Sequence, residues 1–306
     1  MGGIERKDYK FLKRDYLLRN MVENKNNMGG ADMAHGENVN DFGLVSIIML
    51  SKNHAQYVGE SVRSVIAQTY TNWELLFLDD NSKDNSITLM MDLKDEARIK
   101  NEDGIVADRI KVSKTVSDRG SVINRNSSLK ESRGRWIAFL NVGDVWAPDK
   151  LERQIRFMKE NGYAFSYHQY RLMDSDSKDR GFLISGKTRV THSDMVKCCW
   201  PGYLTVMYDA AKIGKVKERS SWTNDYALWL CISDKTDLYL LPESLATIRT
   251  KWNKLGNILL TNNTKWRYDA YRMEEDLGRF TSFFYTIRNG WYGIVKWLNY
   301  VKKDNK

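Results

Sequence analysis

Residues 136–148 read Trp136-Ile137-Ala138-Phe139-Leu140-Asn141-Val142-Gly143-Asp144-Val145-Trp146-Ala147-Pro148, an apolar run that stops abruptly in a polar turn. An unbroken apolar run of this length suits a strand buried on both faces, as in a parallel sheet. Pro148 then opens residues 150–159, whose apolar spacing predicts a helix. Open α/β sheets keep their ligand sites just outside the carboxyl ends of such strands. Asp144 stands at that position. Taken alone, it is equally a helix N-terminal carboxylate stabilised by the macrodipole.

Working back towards the start, residues 45–50 (VSIIML) form another short apolar run, and 57–68 place Val58, Val62, Val65 and Ile66 on one helical face. Residues 73–78 predict a second strand, closing on Asp79-Asp80-Asn81-Ser82. Asp84 is placed to cap a helix carrying Ile87, Met90, Met91 and Leu93. Residues 110–112 are a weaker third strand, and Gly120 precedes a helix at 121–131 that Gly134 is expected to stop. This alternation to about residue 160 predicts a doubly wound parallel sheet. Beyond it, 163–172 and 203–208 read as strands and 225–232 as a short helix. Residues 238–241 and 245–249 read as strands broken by Pro242. This half is expected to complete a mixed sheet. From Lys265 the chain again looks helical.

Composition sets bounds on function. The 306 residues carry a net charge of +9, and residues 251–306 hold 11 Lys/Arg against 5 Asp/Glu. A basic tail suits an anionic surface, or is simply a solvated helix. The three cysteines have no disulfide or metal spacing, which points to a reducing compartment. No apolar run approaches a membrane span and no signal-peptide segment opens the chain, so a cytoplasmic protein is expected. Residues 1–42 combine a weakly amphipathic stretch at 5–27 with an Asn- and Gly-rich linker. Residues 43–250 are expected to be one domain, and 251–306 a helical extension.

Three carboxylate sites stand out. Asp79 and Asp80 are adjacent like charges, which need a role or full solvation; a side-chain-bonded turn is the plain alternative. Asp80 suits a nucleobase N–H. Asp144 offers hard oxygen to Mg²⁺ or Mn²⁺. Asp225, at a helix start, suits a general base or an N-cap.

Read together, these stretches resemble the family 2 glycosyltransferases of the bacterial surface-polysaccharide type, which have the GT-A fold. The resemblance runs from about residue 45 to 249. It is carried by VSIIMLSKN at 45–53, ESVRSVIAQTYTNWELLFLDD at 60–80, Arg119-Gly120 with Arg125-Asn126, residues 134–154, and 224–230. It implies an α/β GT-A fold and an inverting sugar transfer from a nucleotide-diphosphate donor to a glycan or lipid-linked saccharide hydroxyl. Asp80, with Asn53, Lys52, Asp79 and Arg125, would line the nucleotide side. Asp144 would ligate Mg²⁺ or Mn²⁺, and Asp225 would deprotonate the acceptor. The family shows Asp-x-Asp-Asp where this chain has Asn141-Val142-Gly143-Asp144, and an aromatic residue where it has Lys52. A non-catalytic relative used for binding or scaffolding is the alternative that these changes raise.

Residues 279–303 interleave Phe280, Phe283, Phe284, Trp291 and Trp297 with Arg288, Lys296, Lys302 and Lys303. Rings and cations together suit peripheral membrane contact at the inner face of the cytoplasmic membrane. A helix packed on the core, or on a second subunit of a homodimer, is the alternative. No nucleic-acid motif accompanies them.

Overall fold

Strands of Val and Ile need helices over both faces, and the chain supplies them in turn. Val45–Ser51 forms β1, Ala55–Ile66 forms α1, and Trp73–Asp79 forms β2, whose seven residues are all buried. Helices α2 (Ser86–Lys100) and α3 (Ile105–Asp108) lead to β3 (Ile110–Lys114); α4 (Ser121–Glu131) leads to β4 (Trp136–Asn141). β1 pairs in parallel with β2 and β4, and β2 with β3, so the carboxyl ends of all four share one edge. Side chains alternate between two cores. Ile48, Leu76, Ile137 and Phe139 enter one; Ile47, Met49, Leu75, Phe77 and Leu140 enter the other, under α1.

In this computed structural model the described residues are 42–100, 105–218, 225–250 and 264–303. The chain divides into units Met1–Asp41 and Phe42–Lys306, and the second is the one described. The amphipathic stretch at 5–27, the linker that follows it, and Asn224 lie outside the described residues.

The second half continues with β5 (Val145–Trp146), α5 (Lys150–Glu160), β6 (Phe165–Met173), β7 (Asp179–Ile184), β8 (Arg189–Val190) and α6 (His192–Lys197). Then come β9 (Met207–Asp209), α7 (Ala210–Ile213), α8 (Asp225–Ser233) and β10 (Leu238–Arg249). Helices α9 (Thr264–Met273) and α10 (Arg279–Tyr300) precede β11 (Val301–Lys303). The order β11-β7-β6-β9-β4-β1-β2-β3 makes one mixed sheet, with β10 parallel to β6 and antiparallel to β5.

Three local expectations are corrected. Residues 203–208 are a 3₁₀ turn, Tyr203–Thr205, followed by the short β9. Pro242 does not break β10. The strand absorbs it in register shifts on either side of Ser244, where a missing N–H is tolerated. Gly134 is not the helix stop, because α4 is closed by Ser132, whose N–H reaches Ser128 O at 2.9 Å. A Cβ on Gly134 would lie 2.5 Å from Ser46 N, so this glycine permits close approach to β1.

The tail is built into this body. β11 pairs with β7, and Lys296 Nζ donates to the carbonyls of Cys199 (2.9 Å) and Trp200 (2.7 Å). Asn289 donates to the hydroxyls of both Tyr226 (3.1 Å) and Tyr271 (2.9 Å), joining α8, α9 and α10 in the interior. Another face of α10 is open: Phe280, Phe283, Phe284, Ile287, Trp291 and Leu298 are exposed. No helix among the described residues is long and apolar enough to cross a membrane.

Candidate functional site

The ends of β1 and β2 are knitted by side chains. Asp79 accepts from Ser82 N at 2.8 Å and Ser82 Oγ at 2.5 Å, so its buried carboxylate is spent on the turn. Asn53, at φ +53°, donates its N–H to Ser82 Oγ and accepts from Lys83 N, each at 2.8 Å. Asp84 accepts from Ser86 N at 3.0 Å and from Ala55 N at 2.9 Å, serving the first turns of two helices. Of the two adjacent aspartates, only Asp80 faces the mouth of the sheet. It accepts from Arg119 N (2.9 Å) and Gly120 N (3.2 Å), and Lys52 Nζ stands 3.5 Å away. Burial acts to raise its pKa, but the Arg119, Asn124 and Gly120 hydrogen bonds and the Lys52 charge outweigh it and hold Asp80 ionised. Lys52 also pairs with Asp118 at 2.9 Å, and that pairing raises its own pKa.

Asp144 follows β4 and is nearly buried. Its backbone is held from α1: Ser61 Oγ donates to Asp144 O at 2.8 Å and accepts from Gly143 N at 2.9 Å. Gln68, next to the end of α1, donates to Ala147 O (2.7 Å) and accepts from Leu151 N (3.0 Å). Asp144 Oδ1 accepts the Arg249 N–H at 3.0 Å, and Arg249 Nε donates to Gly143 O at 2.9 Å. Burial pushes the Asp144 pKa up to about 7, against the Arg249 hydrogen bond and charge. Among the described residues no group of three His, Cys, Asp or Glu gathers to hold a metal. A hard cation at Asp144 therefore fits only if a ligand supplies most of its oxygens.

Arg125 follows Asn124, whose side chain bonds Asp80, but its own partners are different. It is buried, ion-paired with Glu218 and seated 5.3 Å from the Tyr203 ring centroid. Its neighbour Asn126 bonds the Glu218 backbone in both directions, at 3.1 and 3.2 Å. Asp225 begins α8 within the field of Arg125. Desolvation raises the Asp225 pKa and Arg125 opposes that rise. Tyr170, on β6, is a half-buried ring whose phenol pKa is raised by desolvation, with the Cys199, Asp144 and Asp225 charges adding to the rise.

Sequence reasoning missed Arg249 and Tyr170. Arg249 also pairs with Glu60 and donates to Asp174 O (3.0 Å), Ser175 O (3.1 Å) and Ser177 Oγ (3.0 Å). Its guanidinium stands 4.4 Å from the Tyr57 ring centroid. The only signal available was a basic residue closing a strand, because its partners lie up to 189 positions away.

Residues 46–198 match the family model described as Glycosyl transferase family 2. The chain is 36% identical over 189 residues to the Escherichia coli UDP-Glc:alpha-D-GlcNAc-diphosphoundecaprenol beta-1,3-glucosyltransferase WfgD, covering 62% of this chain and 69% of that protein. It is 31% identical over 226 residues to the putative teichuronic acid biosynthesis glycosyltransferase TuaG of Bacillus subtilis, covering 73% and 83%. Among solved structures, the Pyrobaculum calidifontis mannosyltransferase PcManGT, in complex with GDP-Man and Mn²⁺, superposes with a TM-score of 0.60 at 11% identity, covering 92% of this chain and 79% of that one. S. aureus TarS 1–349 with UDP gives 0.55 at 16% identity, covering 78% and 68%.

Proposed function

The chain belongs to glycosyl transferase family 2, and from that premise we propose that it moves a sugar from a nucleotide diphosphate to a saccharide hydroxyl carried on a lipid diphosphate. It is an inverting enzyme of the GT-A fold, acting in surface-polysaccharide synthesis. The names of WfgD and of the solved neighbours support the donor and acceptor classes. The observation that carries the reading is geometric: Asp80 follows β2 and Asp144 follows β4, so both carboxylates stand at the shared carboxyl edge of the parallel strands.

In this reading Asp80 meets the nucleobase. Its carboxylate has about four lone-pair positions; the Arg119 and Gly120 N–H groups and the Asn124 side chain take three, which leaves room for one more donor. Lys52 swings from its exposed ion pairs to the diphosphate. Asp144, sharing the diphosphate oxygens, would hold Mg²⁺ or Mn²⁺, which supplies Lewis-acid stabilisation to the leaving group. Asp225 takes the proton of the acceptor hydroxyl as that oxygen bonds the anomeric carbon. The bond from that carbon to the diphosphate oxygen breaks, and the oxygen leaves with the electron pair. A single displacement inverts the centre. A raised pKa suits Asp225 as base, since proton affinity nearer neutrality improves transfer. The exposed apolar face of α10 and its neighbouring cations support contact with the lipid surface that carries such an acceptor.

The test is calorimetry with uridine and guanosine diphosphates, with and without Mn²⁺, on the parent and on Asp144→Ala. Metal-dependent binding that the variant loses is expected. Binding indifferent to both metal and Asp144 removes Asp144 from the donor site.

A further inference from the structure

A cavity of about 400 Å³ lies among β6, β7, β10 and α10. A second hollow, a groove of about 680 Å³, runs between α9 and α10 and is walled by rings including Phe283 and Trp291. Arg267 of α9 lines both. The cavity adjoins the Asp144 loop through Arg249, which lines it and donates its N–H to Asp144.

Three cations border this cavity, and they differ in what they still offer. Arg249 is committed to Gly143, Glu60 and the 174–177 turn. Lys296 donates to two neutral carbonyls, which leaves its charge uncompensated and one of its three N–H groups over. Among the described residues no carboxylate pairs with Arg267. A guanidinium at the junction of a ring-lined groove and a cavity, with an ammonium on the cavity wall, suits a ligand that is anionic in the middle and apolar at one end. The planar fork of Arg267 matches phosphate oxygens two at a time.

Resting on the reading of a lipid-diphosphate acceptor, we propose that Arg267 and Lys296 hold the acceptor's diphosphate. The first units of its polyprenyl chain lie in the groove between α9 and α10, and its saccharide occupies the cavity towards Asp225. The same anion chemistry exists in the donor, so the experiment must separate the two sources. Farnesyl diphosphate, farnesol and inorganic pyrophosphate are titrated into the full chain, alongside uridine diphosphate. Farnesyl diphosphate is expected to bind more tightly than either of its parts. Arg267→Gln, and independently Lys296→Gln, should weaken it about tenfold, the effect of losing one charge-assisted contact. Unchanged uridine diphosphate affinity reports that these variants are folded. Asp80→Asn should do the converse, weakening the nucleotide and sparing farnesyl diphosphate. The proposal is overturned if farnesol binds as well as farnesyl diphosphate, if uridine diphosphate displaces it, or if both glutamine variants bind it normally. Loss of nucleotide binding by the parent, with farnesyl diphosphate binding intact, overturns the donor reading and leaves this site standing.

Discussion

Gly143 shows how one residue departs from a family pattern for a backbone reason. Its φ of +110° lies where a Cβ is strained, although the space is open, the nearest atom being Tyr57 Cδ2 at 3.8 Å. Gly143→Ala is therefore expected to destabilise the fold by about 1–2 kcal/mol through conformation alone. Urea unfolding measures this, and an unchanged midpoint would mean that the loop relaxes without loss. The missing carboxylate at this position thus goes with the loop's shape, while Asp144 beside it keeps its hard oxygen. Asp225 is tested by chemistry instead of stability. Asp225→Asn is expected to lower kcat by roughly 10²–10⁴-fold, the usual contribution of a general base, with nucleotide affinity preserved. A variant with parental kcat would remove Asp225 from the mechanism.

At the scale of elements, the loop after β4 is held by α1 as much as by its own strand. Gln68 bonds Ala147 O and Leu151 N, Ser61 bonds the Gly143–Asp144 backbone, and Ser64 Oγ accepts from Trp146 N at 3.2 Å. Gln68→Ala leaves buried backbone groups unpaired, which costs about 1–3 kcal/mol. The expected signature is local: faster amide exchange at Leu151, with β1 and β2 still protected. Uniform loss of protection would show that Gln68 supports the whole sheet instead. Gln68 was legible as part of the 60–80 stretch that carries the family resemblance, but its purpose was not, because the groups it holds lie 79 to 83 positions further on. The Arg125 pattern behaves similarly. Its sequence places it in the donor half, and the folded chain turns it towards Glu218 and Asp225.

For the whole molecule, the attachment of the tail carries a pH dependence. His192 Nε2 meets Glu275 at 3.0 Å, and that hydrogen bond raises the His192 pKa above 6.5 in spite of partial burial. Because the folded value is the higher one, the stabilisation is complete below about pH 6.5 and is lost as pH rises through the folded pKa. The parent should therefore lose more Tm between about pH 6 and pH 8.5 than His192→Gln does, since only the charged imidazole gains from the pair. Equal losses would dismiss the pair as a source of stability. The open face of α10 makes a separate prediction. Sedimentation with anionic liposomes is expected for the parent and should be largely lost in a Phe283→Ser, Trp291→Ser double variant. Concentration-dependent dimer mass, with no liposome binding, would assign that face to a second copy.

Several things were determined by sequence alone. Runs such as 45–50, apolar but for Ser46, and 136–140, apolar throughout, read as strands covered on both sides, and carboxylates directly after such runs fall at one sheet edge. Period, punctuation and order are local properties, and they sufficed for the nucleotide-side half and for the family. What only the tertiary structure decided depends on long-range proximity. It made Asp79 a turn residue and set Asp80 beside Lys52, set Arg249 against Asp144, and gave Arg267 two hollows to line. It also let β10 run through Pro242, because a bulge against β6 absorbs what a lone strand cannot. Residue types announce which chemistry a chain can carry; closing the sheet brings distant residues together and sets the electrostatic surroundings in which each works.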